Sequence, residues 1–171
     1  MERKMRRFRQ ELSENESLEI LERGKVAVMA VAGDNDYPYA IPLNYVYDNG
    51  YVYLHSASQG HKIDALKKNP KCSLCIIDKD DVIPEKFTSY FRSVIAFGKV
   101  EFVTSEEAKI KVLRLLCEKY SPGLDSTNEI NKCLNSVTII RIKLERITGK
   151  EAIELAHRKE TCRKKPYLSL K

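Results

Sequence analysis

The chain has 171 residues, 43% hydrophobic and 32% charged, which suits a single soluble globular domain with a proper core and excludes a disordered chain. Lys plus Arg number 30 against 24 Asp plus Glu, and the first ten and last fourteen residues carry +4 and +5 of the net +6, leaving the middle near −3. Solvated basic ends are therefore expected rather than a nucleic-acid surface, and no apolar stretch has the length of a membrane span or secretory signal.

Ser13-Glu14-Asn15-Glu16 has the form of a capping box, and Leu18, Ile20 and Leu21 continue it as a helix that stops at Gly24. Lys25 to Ala32 is apolar on both faces and reads as a fully buried strand. After a turn at Gly33-Asp34-Asn35-Asp36, Tyr39, Ile41, Leu43, Tyr45 and Tyr47 alternate along one strand into Asp48-Asn49-Gly50. Asn-Gly supplies the positive φ a tight hairpin needs, and Tyr51 to Leu54 returns. Pro42 removes one ladder bond, so either this is a sheet edge or a ligand lies against it.

Next comes His55-Ser56-Ala57-Ser58-Gln59-Gly60-His61-Lys62. Small hydroxylated residues and a glycine, then two basic residues opening a helix, make a seat for a phosphate. That helix runs to Asn69-Pro70. A strand over Lys71 to Ile77 is followed by the charged run Asp78 to Asp81 and a loop containing Pro84. Phe87 to Val103 is a long strand with a bulge or bend at Gly98. Thr104-Ser105-Glu106-Glu107 caps a helix carried by Ile110, Leu113, Leu116, Cys117 and Tyr120. A short helical piece near Ser126 to Leu134 precedes the last strand, Val137 to Ile147, whose apolar phase changes once, implying a bulge or burial on both sides. The single domain spans 1–157, and 158–171 forms a basic tail that is loose or packed on a partner from His157 onward.

Five cysteines, an odd number, point to a reducing, cytoplasmic setting. Cys72 and Cys75 have the spacing of a metal knuckle, but residues three apart on a strand face opposite sides and no second pair completes it, so structural thiols are expected and no metal. About six strands with three or four helices at their ends make a mainly β fold, an antiparallel barrel with accessory helices.

Ile41-Pro42-Leu43-Asn44-Tyr45, His55-Ser56-Ala57 with Gly60-His61-Lys62, Phe87 to Val94 and Thr148-Gly149-Lys150, in that order, resemble the pyridoxamine 5′-phosphate oxidase-like FMN-binding split barrels, nearest their nitroimidazole-resistance branch. The resemblance implies a six-stranded Greek-key split barrel that forms a homodimer, with FMN in clefts at the interface. It implies that Pro42, Leu43, Asn44 and Tyr45 run along the flavin ring, with Tyr45 as a candidate for stacking. His55, Ser56 and Ala57 would meet the cofactor, His55 being the one candidate catalytic residue. Gly60, His61 and Lys62 would hold the phosphate, His61 standing where the oxidases have arginine and forming a weaker clamp. Ser93 would lie near the ring beside Arg92, and Tyr90 and Arg92 would line either cofactor or interface. The Arg and Trp pattern that holds the vitamin substrate is not evident after Ile147, so vitamin B6 synthesis is not implied.

No Ser-His-Asp, Cys-His or paired-carboxylate arrangement presents itself, as expected where a cofactor carries the chemistry. The implied function is an FMN-dependent oxidoreductase passing electrons from NAD(P)H or a partner to a small electron-poor acceptor, with nitroaromatic reduction the implied class. The alternative is a binding module without turnover, for FMN or for haem with His157 as the spare ligand.

Overall fold

In the computed structural model, which describes residues 4–163, the local signals at Ser13 act as read. The Ser13 hydroxyl accepts from the Glu16 amide while the Glu16 carboxylate accepts from the Ser13 amide, opening α1 (Glu14–Arg23). Gly24 ends it with an extended backbone rather than a left-handed one. Glycine is needed there because a Cβ would stand 2.5 Å from the Tyr45 hydroxyl. The turn at Asn49 and Gly50 has φ of 49° and 85°, as the Asn-Gly pair demands.

Seven strands form one sheet, and each pairs antiparallel with its neighbours. They are β1 (Val26–Ala32), β2 (Pro38–Asn44), β3 (Val46–Asp48), β4 (Tyr51–Ala57), β5 (Lys71–Ile83), β6 (Thr88–Val103) and β7 (Val137–Glu151). The order across the sheet is β2-β1-β5-β6-β7-β4-β3. The two edges, β2 and β3, are consecutive in the chain and joined by Tyr45 alone, so the sheet curls into a barrel that is split at this residue. The stretch expected as one strand is thus two, and six becomes seven.

Inside the barrel Met29, Leu54, Leu74, Ile76, Ile140 and Ile142 are buried with Ile20 and Leu21 of α1. The helix α2 (His61–Lys68) adds Ile63, Ala65 and Leu66 to the same core. Burial of a Leu or Ile side chain contributes about 1.5–3 kcal/mol, enough to hold so short a helix in place. A second cluster lies between β7 and the helices α3 (Glu106–Tyr120) and α4 (Thr127–Cys133), built on Ile139, Val112, Leu113, Leu116 and Ile130. Ile139 and Ile140 therefore face opposite cores, the two-sided burial read from the phase change. The register of β6 on β7 shifts between Phe97 and Gly98, where the bulge was expected.

Four expectations are corrected. The run Asp78 to Asp81 belongs to β5, because a register shift between Ile77 and Lys79 turns Asp78 toward Arg23 and Arg92. β7 continues past Ile147 to Glu151. β1 is fully buried on one face only, and Val28, Ala30 and Ala32, half-buried or exposed, lie on the other. Beyond His157 the chain is not loose up to Arg163 but forms α5 (Ile153–Arg163), tied down by Lys159, which contacts Glu16 at 2.6 Å and Glu151 at 2.8 Å. The expectations for residues 164–171 lie outside the described residues. Cys72 faces inward and Cys75 outward, as strand geometry requires, and burial pushes the Cys72 thiol up to about 12.

Candidate cofactor site at the start of α2

β4 ends with its side chains alternating across the barrel wall. Val52, Leu54 and Ser56 point inward, while His55 and Ala57 are exposed. Ser56 is 6% exposed, and its hydroxyl has no hydrogen-bond partner among the described residues. An unpaired buried hydroxyl is costly unless something outside the chain completes it. Four residues on, the backbone swings through Gly60 at φ 123° into α2. A Cβ at Gly60 would meet nothing within 4 Å, so the glycine serves the backbone angle and leaves the approach open.

No side chain caps α2, whereas Ser13 caps α1 and Ser105 caps α3. Its first amides are therefore open to an external acceptor, at the positive end of the helix. Lys62, half-buried in the first turn, has no hydrogen-bond or ion-pair partner among the described residues. Free amides and an unpaired ammonium in one helical turn are donors of the kind a phosphate takes, while the Ser56 hydroxyl lies buried behind the barrel wall.

His61 behaves differently from its assignment to the phosphate clamp. Its ring stacks on Tyr39 of β2 at 4.0 Å, and Nε2 lies 3.5 Å from Asp34 Oδ2. That pair fastens α2 to the β1–β2 turn. The edge strand β2, bonded only to β1, presents Ala40, Pro42 and Asn44 outward, a flat face of small side chains beside that helix start, while Leu43 packs inward. Pro42 lies on an edge strand, the first of its two readings. Asn44 donates through Nδ2 to the Lys25 carbonyl at 3.1 Å.

Tyr45 does not offer a ring for stacking. It is fully buried, its hydroxyl donates to the Leu21 carbonyl at 2.7 Å, and burial pushes its ionisation up. Only its backbone faces the break between β2 and β3.

Tyr90, Arg92 and Ser93 are not brought to this site within one chain. His55 pairs with Ile139 and Ser93 with Lys150, eleven residues apart on β7, a strand path on the order of 35 Å. Tyr90 is buried against Ala152 and Leu155 and accepts from Lys86 at 3.2 Å. Arg92 is committed to Glu151 at 3.0 Å and Asp78 at 3.5 Å. Arg23–Asp78–Arg92–Glu151–Lys159–Glu16 is one chain of alternating charges joining α1, β5, β6, β7 and α5. The Lys159 hydrogen bond at its end holds Glu16 down to about 2. Ser93 lies on the outer face, opposite Ile77 and Lys150.

A model of the pyridoxamine 5′-phosphate oxidase family matches residues 13–151. The chain belongs to this family. Solved structures share its fold. One is a Bacteroides thetaiotaomicron protein named for 5-nitroimidazole antibiotic resistance, 22% identical over 82% of this chain and 86% of that one, with a TM-score of 0.72. Another is a conserved protein of Mycobacterium tuberculosis, 20% identical over 98% of both chains, TM-score 0.76. A third is a FAD-binding protein of Mesorhizobium loti, 25% identical over 84% of this chain and 97% of that one, TM-score 0.59. A search of the curated proteins finds no match. The β barrel with accessory helices read from the sequence is thus the fold of a split-barrel family. No group of His, Cys, Asp and Glu among the described residues is arranged to hold a metal, and no helix among them is long and apolar enough to cross a membrane.

Proposed function

We propose that the protein is a cytoplasmic FMN-dependent oxidoreductase, with the flavin phosphate on the first turn of α2 and the ring along Pro42 to Tyr45. The observation that supports this is the start of α2, uncapped, with Lys62 unpartnered among the described residues. Flavin binding in the family is in keeping with it, since the Mesorhizobium loti structure is that of a FAD-binding protein. FMN rather than FAD is the form that the sequence resemblance implies, and its terminal phosphate carries close to two charges, which suits an open helix start.

The second half of the site is proposed to come from another copy of the chain. The outer face of β1, β5 and β6 carries Val28, Ala30, Cys75, Ile95 and Phe97, apolar and, among the described residues, bordered only at Phe97 by the segment around Phe8, and it is continuous with Pro42 and Ser93. A homodimer across this face would cover it and carry Ser93 of the partner subunit toward the flavin. When bound, FMN would supply the chemistry of hydride or electron transfer, from NAD(P)H or a partner protein to a flat, electron-poor acceptor such as a nitroaromatic. The chain's own part is to bind the phosphate, hold the ring against β2 and present His55, exposed on β4, to whatever stacks there.

The test is direct. The purified protein should be yellow and dimeric by light scattering, and heating should release FMN, identified by mass. Anaerobic mixing with NADPH and with NADH should bleach it at catalytic rates with one of the two. A colourless protein that takes up no FMN on reconstitution contradicts the reading, and bound FMN that neither donor bleaches reduces it to a carrier.

A further inference from the structure

We infer that Tyr120, at the last turn of α3, is a positioning residue that sets the backbone of Asn44 and Tyr45, where β2 gives way to β3. This rests on the flavin reading above. Between two strands a residue leaves the hydrogen-bonding ladder, and its amide and carbonyl must find other partners or remain unpaired. At Tyr45 both are met by one side chain. The Tyr45 amide donates to the Tyr120 hydroxyl at 2.9 Å, and that hydroxyl lies 2.7 Å from the Tyr45 carbonyl. It also lies 2.6 Å from the Lys25 carbonyl, which accepts the Asn44 side-chain amide as well. A phenol has one proton to give, so the two carbonyls share it while the oxygen accepts the amide.

Lys119, the preceding residue, closes the corner from the other side. Its Nζ is 4.3 Å from the centre of the Tyr45 ring and has no hydrogen-bond partner among the described residues. The last turn of α3 therefore grips Tyr45 twice, by the ring and by the backbone. Neither grip has a local origin, since Tyr120 is 75 residues from Tyr45. The conformation of Asn44, and so the line of the edge strand toward the flavin, depends on a helix that lies on the outside of the barrel.

The test compares wild type, Tyr120→Phe and Leu116→Ala. Tyr120→Phe keeps the ring and removes the hydroxyl, and Leu116→Ala loosens the same helix while keeping it. Amide exchange at Tyr45, read without cofactor, should rise in Tyr120→Phe more than in Leu116→Ala. FMN should bind about tenfold more weakly to Tyr120→Phe, with a shifted flavin absorption spectrum, while Leu116→Ala keeps the wild-type spectrum. If wild type binds FMN and Tyr120→Phe matches it in affinity and spectrum, or if Leu116→Ala shifts both equally, the positioning role is overturned. If wild type takes no FMN, the flavin reading falls first and this inference with it, an outcome told apart by the wild-type titration alone.

Discussion

Two helix starts in this molecule face the same physical problem and solve it oppositely. α1 answers its free amides from within, with Ser13 and Glu16 locked in a reciprocal pair and Lys159 adding a charge to the outer oxygen of Glu16. α2 begins at a glycine with no side-chain cap, and the lysine in its first turn has no partner among the described residues. Both helices are anchored by buried Ile and Leu, so lack of a cap does not mark α2 as marginal. The contrast is that α1 is complete by itself, whereas α2 is left uncapped, and the proposal is that an anion completes it.

Several substitutions sharpen or break that contrast. The largest effect is expected at Lys62→Ala, which removes a charge-assisted contact of about 2 kcal/mol and weakens FMN binding roughly thirtyfold, while melting of the cofactor-free protein is unchanged. Gly60→Ala forces a side chain into positive φ and should cost roughly 1–2 kcal/mol of stability, seen in urea unfolding. Ser13→Ala should cost about 1 kcal/mol by the same measurement and leave FMN affinity alone. If it weakened FMN as much as Lys62→Ala, the two helix starts would not differ as claimed.

Acid gives a further handle on α1. Glu16 sits near 2 in the folded chain against an ordinary 4.5, chiefly through Lys159 and then through Ser13. A depressed carboxylate contributes stability above its unfolded value and loses it as pH falls through the folded one. Unfolding monitored between pH 4.5 and 2 should therefore show a loss that Glu16→Gln flattens, modest in size because the group is partly open to solvent and screened. Ser56→Ala is expected to be the mildest: within about 0.5 kcal/mol of wild type without cofactor, since no bond is lost.

Much of this was legible because the signals are local. The capping box at Ser13, the Asn49-Gly50 turn and the start of α2 each lie within a few residues of the structure they specify. What escaped depends on distant partners. Alternation runs unbroken from Tyr39 to Tyr47, yet the strand breaks at Tyr45 because Tyr120 takes its backbone. The charged run at Asp78 is strand because Arg23 and Arg92 await it, and the chain beyond His157 is helix with Lys159 held by Glu16 and Glu151. At the candidate site, His55 to Lys62 are one contiguous segment, so the proposal for them could be made from neighbours in the chain. Nothing adjacent to Arg92 announced its commitment to Glu151, or to His61 its seat on Tyr39.

The claim at the centre is that α2 holds a phosphate, and the measurement closest to it is a pair of titrations, FMN against riboflavin, which differ by that group alone. FMN should bind at least about a hundredfold more tightly, with most of the difference gone in Lys62→Ala. Equal affinity for the two, or a preference for FMN that Lys62→Ala leaves intact, would contradict it.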